Sequence, residues 1–271
     1  MKVSKKSLIA SIAVLCVCAM SLTAASFAWF TTTTQANVNK LNLGVVEQSD
    51  LKIAVDPAVE EEGYAKNIES NMWGVSFTGA DIAEKQDYNE NTNLANATWD
   101  ADKGYFVTVS ENDADSVDSV TGFYDGTLVA ASAGTDYVEF TVYFRSTKAN
   151  QEIVFNGIDF SISSAKKALL NGLTLRVNDE EYNNSGMKNV VKSLDENGAA
   201  VVEPKAIKKI SDGGTVCVIG ENEIAGKGFY TAAATFQIFV EGQDQVTINQ
   251  NAGIKFVLEN LSFKYAPEAQ G

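Results

Sequence analysis

Any chemistry in this chain of 271 residues has to come from carboxylates, hydroxyls, a glycine-rich loop and a few cysteines, because it contains no histidine. That removes Ser-His-Asp and Cys-His catalysis and HExxH zinc sites, each of which needs an imidazole as base or ligand. Residues 220–228 place Gly220, Gly226, Lys227 and Gly228 in one stretch. A Walker loop has four residues between its glycines and a Ser or Thr after the lysine, so that amides cradle the phosphates and the hydroxyl holds Mg²⁺. Here five residues intervene, Gly228 follows the lysine, and Glu221 and Glu223 would repel phosphate. The stretch reads as a connecting loop before the strand that starts near Phe229.

Glu111, Asp113, Asp115 and Asp118, closed by Asp125-Gly126, form an acidic run. Alternating carboxylates supply oxygen ligands to calcium, but the glycine and terminal bidentate Glu of an EF-hand loop are missing. The run reads as a solvated acidic loop, with a weak calcium site as the alternative. Nothing selects a carboxylate pair suited to glycoside hydrolysis. Trp73, Trp99, Tyr137 and Tyr143 are placed either to line a sugar or peptide surface or to pack within and across strands. Cys217 lies in a strand-like setting, where a thiol behaves as a small apolar side chain. The expectation is a non-enzyme, with no catalytic residue, no cofactor and no metal ligand set.

The elements that would position these residues start with an export signal. Lys2, Lys5 and Lys6 precede an uncharged run through Asn39, with apolar residues 8–22 at its centre. Ser26 and Ala28 suit positions −3 and −1 of a cleavage site, so residues 1–28 are expected to be removed before Trp29. The alternative is a retained helix, since residues 8–30 are long enough to span a bilayer, and membrane contact is expected only through that uncleaved segment. Leu15 and Val17 precede Cys16 and Cys18, where a lipoprotein signal needs a small residue. Cleavage also removes those two cysteines and leaves Cys217 without a disulfide partner. The formal charge of −14 becomes −17, from 18 basic and 35 acidic residues, because the segment carries three lysines and no acid. Such a surface repels nucleic acid and anionic lipid.

Beyond the signal, the hydrophobic content of 45% suffices for a packed core. Leu41, Leu43 and Val45 alternate with polar or small residues, a half-buried strand free to pair with its own sheet or with a neighbouring molecule. Residues 29–46 are read as an N-terminal assembly strand segment, residues 37–266 as one β-sandwich domain and residues 267–271 as a tail. Strands are expected at 51–55, 71–77, 105–109, 122–130, 137–144, 153–155, 158–162, 173–177, 216–219 and 232–240, with one helical turn at 165–170. Val138, Phe140, Val142 and Phe144 share one face of the clearest strand. In the last strand Ile254, Phe256 and Leu258 are out of phase with Leu261, Phe263 and Tyr265, and a bulge at Glu259-Asn260 would turn both sets inward. Residues 81–98 read as a polar surface excursion. The fold class is all-β, a jelly-roll-like β-sandwich preceded by an N-terminal signal helix.

The run Ala25-Ser26-Phe27-Ala28-Trp29-Phe30, followed by threonines and a short strand, resembles the processing region of the TasA/camelysin-like exported proteins of Gram-positive bacteria. Residues 137–146 and 236–244 resemble strands of related clostridial surface proteins. The resemblance implies a jelly-roll subunit exported to the cell surface, often building biofilm-matrix fibres in which the N-terminal segment of one subunit completes a sheet of the next. Phe30, Val38, Leu41, Leu43 and Val45 would be the assembly-strand residues. Some relatives carry a metallopeptidase label, which a chain without histidine does not inherit. The function expected is a secreted, extracellular or cell-surface structural protein that associates with itself or with other matrix proteins. The alternative is a monomeric adhesin for a glycan or a host protein.

N-terminal sequencing and intact-mass measurement of secreted material should find a chain beginning at Trp29. Recovery of a mature protein still carrying Leu8 would overturn the cleavage.

Overall fold

A computed structural model describes residues 42–45, 50–56, 72–85, 96–109, 127–162, 167–197, 199–224, 226–244 and 256–267. The signal and its cleavage residues Ser26, Ala28 and Trp29 lie outside the described residues, as do Phe30, Val38, Leu41 and the acidic run from Glu111 to Asp118.

Two strands with a two-residue hydrophobic period set the larger sheet. β7 (Val138–Ser146) and β15 (Tyr230–Glu241) are antiparallel, in register from Tyr230↔Ser146 to Ile238↔Val138. Phe140, Val142 and Phe144 point into the core, as the alternation requires, and Phe140 stacks on Phe236 at 5.4 Å. On the other edge of β15 follow β9 (Leu173–Val177), β10 (Glu180–Asn183) and β13 (Lys208–Lys209), while β2 (Lys52–Ala54) flanks β7. Val240 bonds β9 on one side, so β4 (Asn96–Asp100), which also pairs with Val240, occupies the opposite edge. From β4 the sheet continues through β5 (Tyr105–Val109) to β6 (Leu128–Ala130).

The smaller sheet has the order β14 (Thr215–Val218), β8 (Glu152–Ile162), β16 (Phe256–Tyr265), β1 (Asn42–Val45) and β3 (Ser76–Thr78). It lies face to face with the larger one, and the protein is an all-β sandwich. Phe263 meets Phe236 at 5.7 Å and Phe144 edge-on at 5.0 Å. All three rings are fully buried, each contributing about 1.5–3 kcal/mol of transfer free energy. Near the end of the interface, Ser146 Oγ and Tyr265 Oη share a buried hydrogen bond of 2.6 Å from one sheet to the other.

The phase slip read in the last strand is a bulge. The register of β16 against β8 shifts between Leu258 and Asn260, leaving Glu259 as the extra residue. A second shift between Ser262 and Phe263 leaves Asn156 of β8 as the extra residue. Leu258, Leu261, Phe263 and Tyr265 are consequently all buried although their sequence phases differ. The two apolar runs expected at 153–155 and 158–162 are one continuous strand for the same reason. Phe155 and Ile158 are three residues apart, and the bulge at Asn156 keeps both inward.

The polar excursion expected over 81–98 contains two elements instead. Helix α1 (Gly79–Lys85) begins with a capping box. Thr78 N donates to Asp81 Oδ2 at 2.7 Å and Asp81 N donates to Thr78 Oγ1 at 3.2 Å. The Thr78 hydroxyl, which donates to Asp81 Oδ2 at 2.6 Å, and then Thr78 N hold the Asp81 carboxyl below its usual pKa. Buried Ile82 pins the helix to the core, and β4 follows. The helical turn expected at 165–170 is a 3₁₀ turn over Lys167–Gly172. Sequence reasoning also missed β10 and the two-stranded ribbon of β11 (Met187–Leu194) and β12 (Ala200–Ala206), whose lysines, glutamates and Pro204 hide their strand pattern.

A buried ion cluster holds that ribbon to the sandwich. Lys188 of β11 is 3% exposed, and its ammonium pairs with Glu241 of β15 and, at 2.7 Å, with Glu181 of β10. Asn189 N donates to buried Asp244 at 3.1 Å, and Val191 N to Gln243 O at 3.0 Å. Burial alone would lower the pKa of Lys188, but the two carboxylates outweigh it and raise the pKa. The cluster is therefore intact at neutral pH, and its contribution is lost as pH rises through the raised lysine value.

Lys188→Met should destabilise the protein by about 3–5 kcal/mol in urea unfolding, because two carboxylates lose their buried counter-ion. An unchanged midpoint would show that the cluster does not hold the ribbon.

Candidate functional site

A β-sandwich can recruit another chain at an unprotected sheet edge, where unpaired N–H and C=O groups face outward. One flank here is closed by the chain itself. Gly74 exchanges two hydrogen bonds of 2.9 Å with Ile53 of the larger sheet, and two residues later β3 pairs with β1 of the smaller one. Residues 72–78 thus cross from sheet to sheet. Of the assembly-strand residues, Leu43 and Val45 fall in β1, which runs parallel to β16 and antiparallel to β3. Leu43 is fully buried and Val45 packs against the core, so both are built into the chain's own sheet.

The opposite flank is open in part. β14 covers β8 only at Glu152, Ile153 and Val154, and Phe155 N donates to Gly214 O at 3.2 Å. Beyond that point, the outer edge of residues 156–162 has no partner strand among the described residues. A cleft of about 640 Å³ lies beside this edge, lined by Asn156, Asp159, Asn184, Asp212, Gly214 and Lys264. The other edges are blunted in known ways. β13 is a pair of lysines, β12 carries Glu203, Pro204 and Lys205, and β3 and β6 are three residues long.

Gly214 lets the cleft floor approach buried Tyr182. A methyl group built on Gly214 would overlap the Tyr182 hydroxyl, with two ring carbons at 3.1 Å. The ring in turn packs edge-on against Phe155 at 5.4 Å. The cleft, the start of the open edge and the core are therefore one packed unit.

The residues singled out for chemistry do not converge. Tyr143 and Trp73 are buried together with Ala54, and the Arg145 guanidinium lies 4.9 Å from the Trp73 ring and 4.5 Å from Phe229. Tyr137 packs on Phe106 at 4.4 Å. Trp99 borders a cleft, with the Arg176 guanidinium 3.6 Å over its ring. Cys217 is a free, partly buried thiol, and burial pushes its pKa up to about 12, which leaves it protonated and a poor nucleophile. The glycine-rich loop connects β14 to β15, and Glu223 accepts a hydrogen bond from Gly228 N at 2.6 Å within it. Among the described residues no group of three or more Cys, Asp and Glu side chains is arranged to hold a metal, and no helix is long and apolar enough to cross a membrane.

The feature that emerges is a sheet edge with a cleft beside it. Sequence reading missed it because an unpaired edge is a property of the strand that is absent beside it. No family model, no curated protein and no solved structure matches this chain.

Gly214→Ala should cost about 1–3 kcal/mol by overpacking against Tyr182. Adding Tyr182→Phe should return part of that loss, since it removes the overlapping oxygen. Strict additivity of the two changes in urea unfolding would show that they do not touch.

Proposed function

We propose that the protein is an exported structural subunit of the cell surface or extracellular matrix, which associates with copies of itself by strand addition. In this reading the leader ends at Ala28, the mature chain begins at Trp29, and the sandwich is a jelly roll of the TasA/camelysin kind with no enzymatic activity. The observation that carries it is the open outer edge of β8 over residues 156–162, beside a cleft and without the lysines or proline that blunt the other long edges. The donor is the segment upstream of β1, including Phe30, Val38 and Leu41. It is uncharged from Trp29 to Asn39 and rich in threonine and asparagine, suited to backbone pairing with an edge. β1 itself stays at home, because withdrawing Leu43 would open the core it fills.

β1, from which the donor extends, and the acceptor strand β8 lie on opposite sides of β16, so each copy can give a strand to one neighbour and take one from another. That is a head-to-tail contact, which builds filaments when the rotation does not close. The net charge of −17 after cleavage opposes indiscriminate clustering and leaves the specific contact to set the geometry.

Negative-stain microscopy of the processed protein should show fibres. A variant lacking residues 29–39 but keeping β1 should remain a folded monomer by circular dichroism and gel filtration. Fibres that persist in the truncated protein would refute strand donation, and a full-length processed protein that stays monomeric would refute self-assembly.

A further inference from the structure

Three clefts share lining residues in succession along residues 205–214. The first, about 470 Å³, runs from Trp99 and Arg176 to Ile207. The second, about 530 Å³, shares Ile207 and extends past Lys208 and Lys209 to Gly213. The third is the cleft beside β8, which shares Asp212 and Gly213 with the second. Together they form a groove suited to an extended polymer rather than to a compact small molecule.

The lining chemistry narrows the polymer. Lys205, Lys208 and Lys209 are exposed along the groove, in a chain whose formal charge is −14. Lys205 and Lys209 have no ion-pair partner among the described residues, and Lys208 has a solvent-exposed contact of 3.5 Å to Glu180 and lies 5.7 Å from the centre of the Tyr182 ring. The groove's carboxylates are differently placed. Asp179 is engaged by Arg176 and Glu181 by buried Lys188, while Glu180, Asp159 and Asp212 are exposed carboxylates spaced along the groove. Unused cationic capacity thus lies along one stretch of the groove, while Asn156, Asn184 and Ser211 offer neutral donors and acceptors farther on. Arg176 is 8% exposed, its Nη1 donates to Gln237 at 2.7 Å, and its Nε has no hydrogen-bond partner among the described residues. It stacks on Trp99 to make a flat, rigid wall at one end.

A dense polyanion does not fit. Duplex DNA carries about one charge per 1.7 Å, and the exposed Asp159 and Asp212 in the same groove would meet it with repulsion. A neutral glycan leaves the free lysines unused. We infer that the groove along residues 205–214 binds a linear, sparsely anionic polysaccharide, with carboxylates on Lys205, Lys208 and Lys209 and hydroxyls on the amide and hydroxyl side chains beyond them. This binding needs no polymerisation and stands or falls separately from it.

The test is calorimetric titration of the mature chain, truncated before Leu41 to keep it monomeric, with an oligogalacturonate of defined length at low salt. Saturable binding is expected. It should weaken about tenfold in Lys205→Ala/Lys208→Ala/Lys209→Ala, a triple variant of exposed residues whose circular dichroism should match the parent. Asn184→Ala/Ser211→Ala should weaken it as well, but with the salt dependence unchanged, whereas the triple variant should lose most of that dependence. No binding of the oligogalacturonate, equal binding by the lysine variant, equal affinity for a neutral dextran oligomer, or tighter binding of a single-stranded oligonucleotide would each overturn the inference.

Discussion

Phe236 and Phe263 meet between the two sheets at 5.7 Å, and the rest of the sandwich depends on that contact. Phe236 is held in β15, the central strand of the larger sheet, with β7 on one side and β9 on the other. Phe263 is held in β16, between β8 and β1. For both rings to face inward, strands of about ten residues must stay in phase with the core along their length. A sandwich twists, so a straight two-residue alternation does not stay in phase on its own. The bulges at Glu259 and Asn156 take up the difference. They cost local pairing and keep Leu258, Leu261, Phe263, Phe155 and Ile158 buried. Since burial of each such side chain is worth more than a strained residue of ladder, the bulges win.

The same contact explains why the edges matter. With the core closed by the chain's own strands, including β1, nothing in the interior asks for a partner. Among the described residues, backbone without a strand partner is found where β14 stops short on β8. Cys217 is free among the described residues, and packing and pairing hold the body. An uncovered stretch of edge is then either a hazard or an instrument. The lysines of β13 and the Glu203, Pro204 and Lys205 of β12 mark edges kept from pairing, and the contrast with residues 156–162 gives the open edge its meaning.

The ribbon and the groove share one cause. β11 and β12 extend beyond the sandwich and bury little apolar surface, so they are tied down by charge. Lys188 sits between Glu181 and Glu241, with the Phe239 ring 5.3 Å from its ammonium. Desolvating these groups is expensive, and the cluster holds only because one cation serves two carboxylates with short, direct contacts. Anchored this way, the ribbon delivers the lysines around residue 205 to the mouth of the clefts. A position in the chain that looks like an ordinary polar connection becomes the wall of a groove.

The sequence by itself determined the all-β class, the inward face of β7, the bulge at Glu259 and the connecting role of the glycine-rich loop. These are local matters: a two-residue period, a slip in that period and the chemistry of a phosphate loop are legible from neighbours in the chain. It also named the strand with Leu43 and Val45 while leaving two partners open for it. The tertiary structure decided that β1 serves its own sheet, because Leu43 faces Phe77 across one pairing and Leu261 across the other. It alone placed Trp73 and Tyr143 in a buried cluster, showed the β11–β12 ribbon and its ion cluster, and exposed the unpaired stretch of β8. Each of these depends on residues far apart in sequence. Lys188 and Glu241 are 53 positions apart, and no local period records that they meet. An open edge is less legible still, because it is defined by where another strand ends.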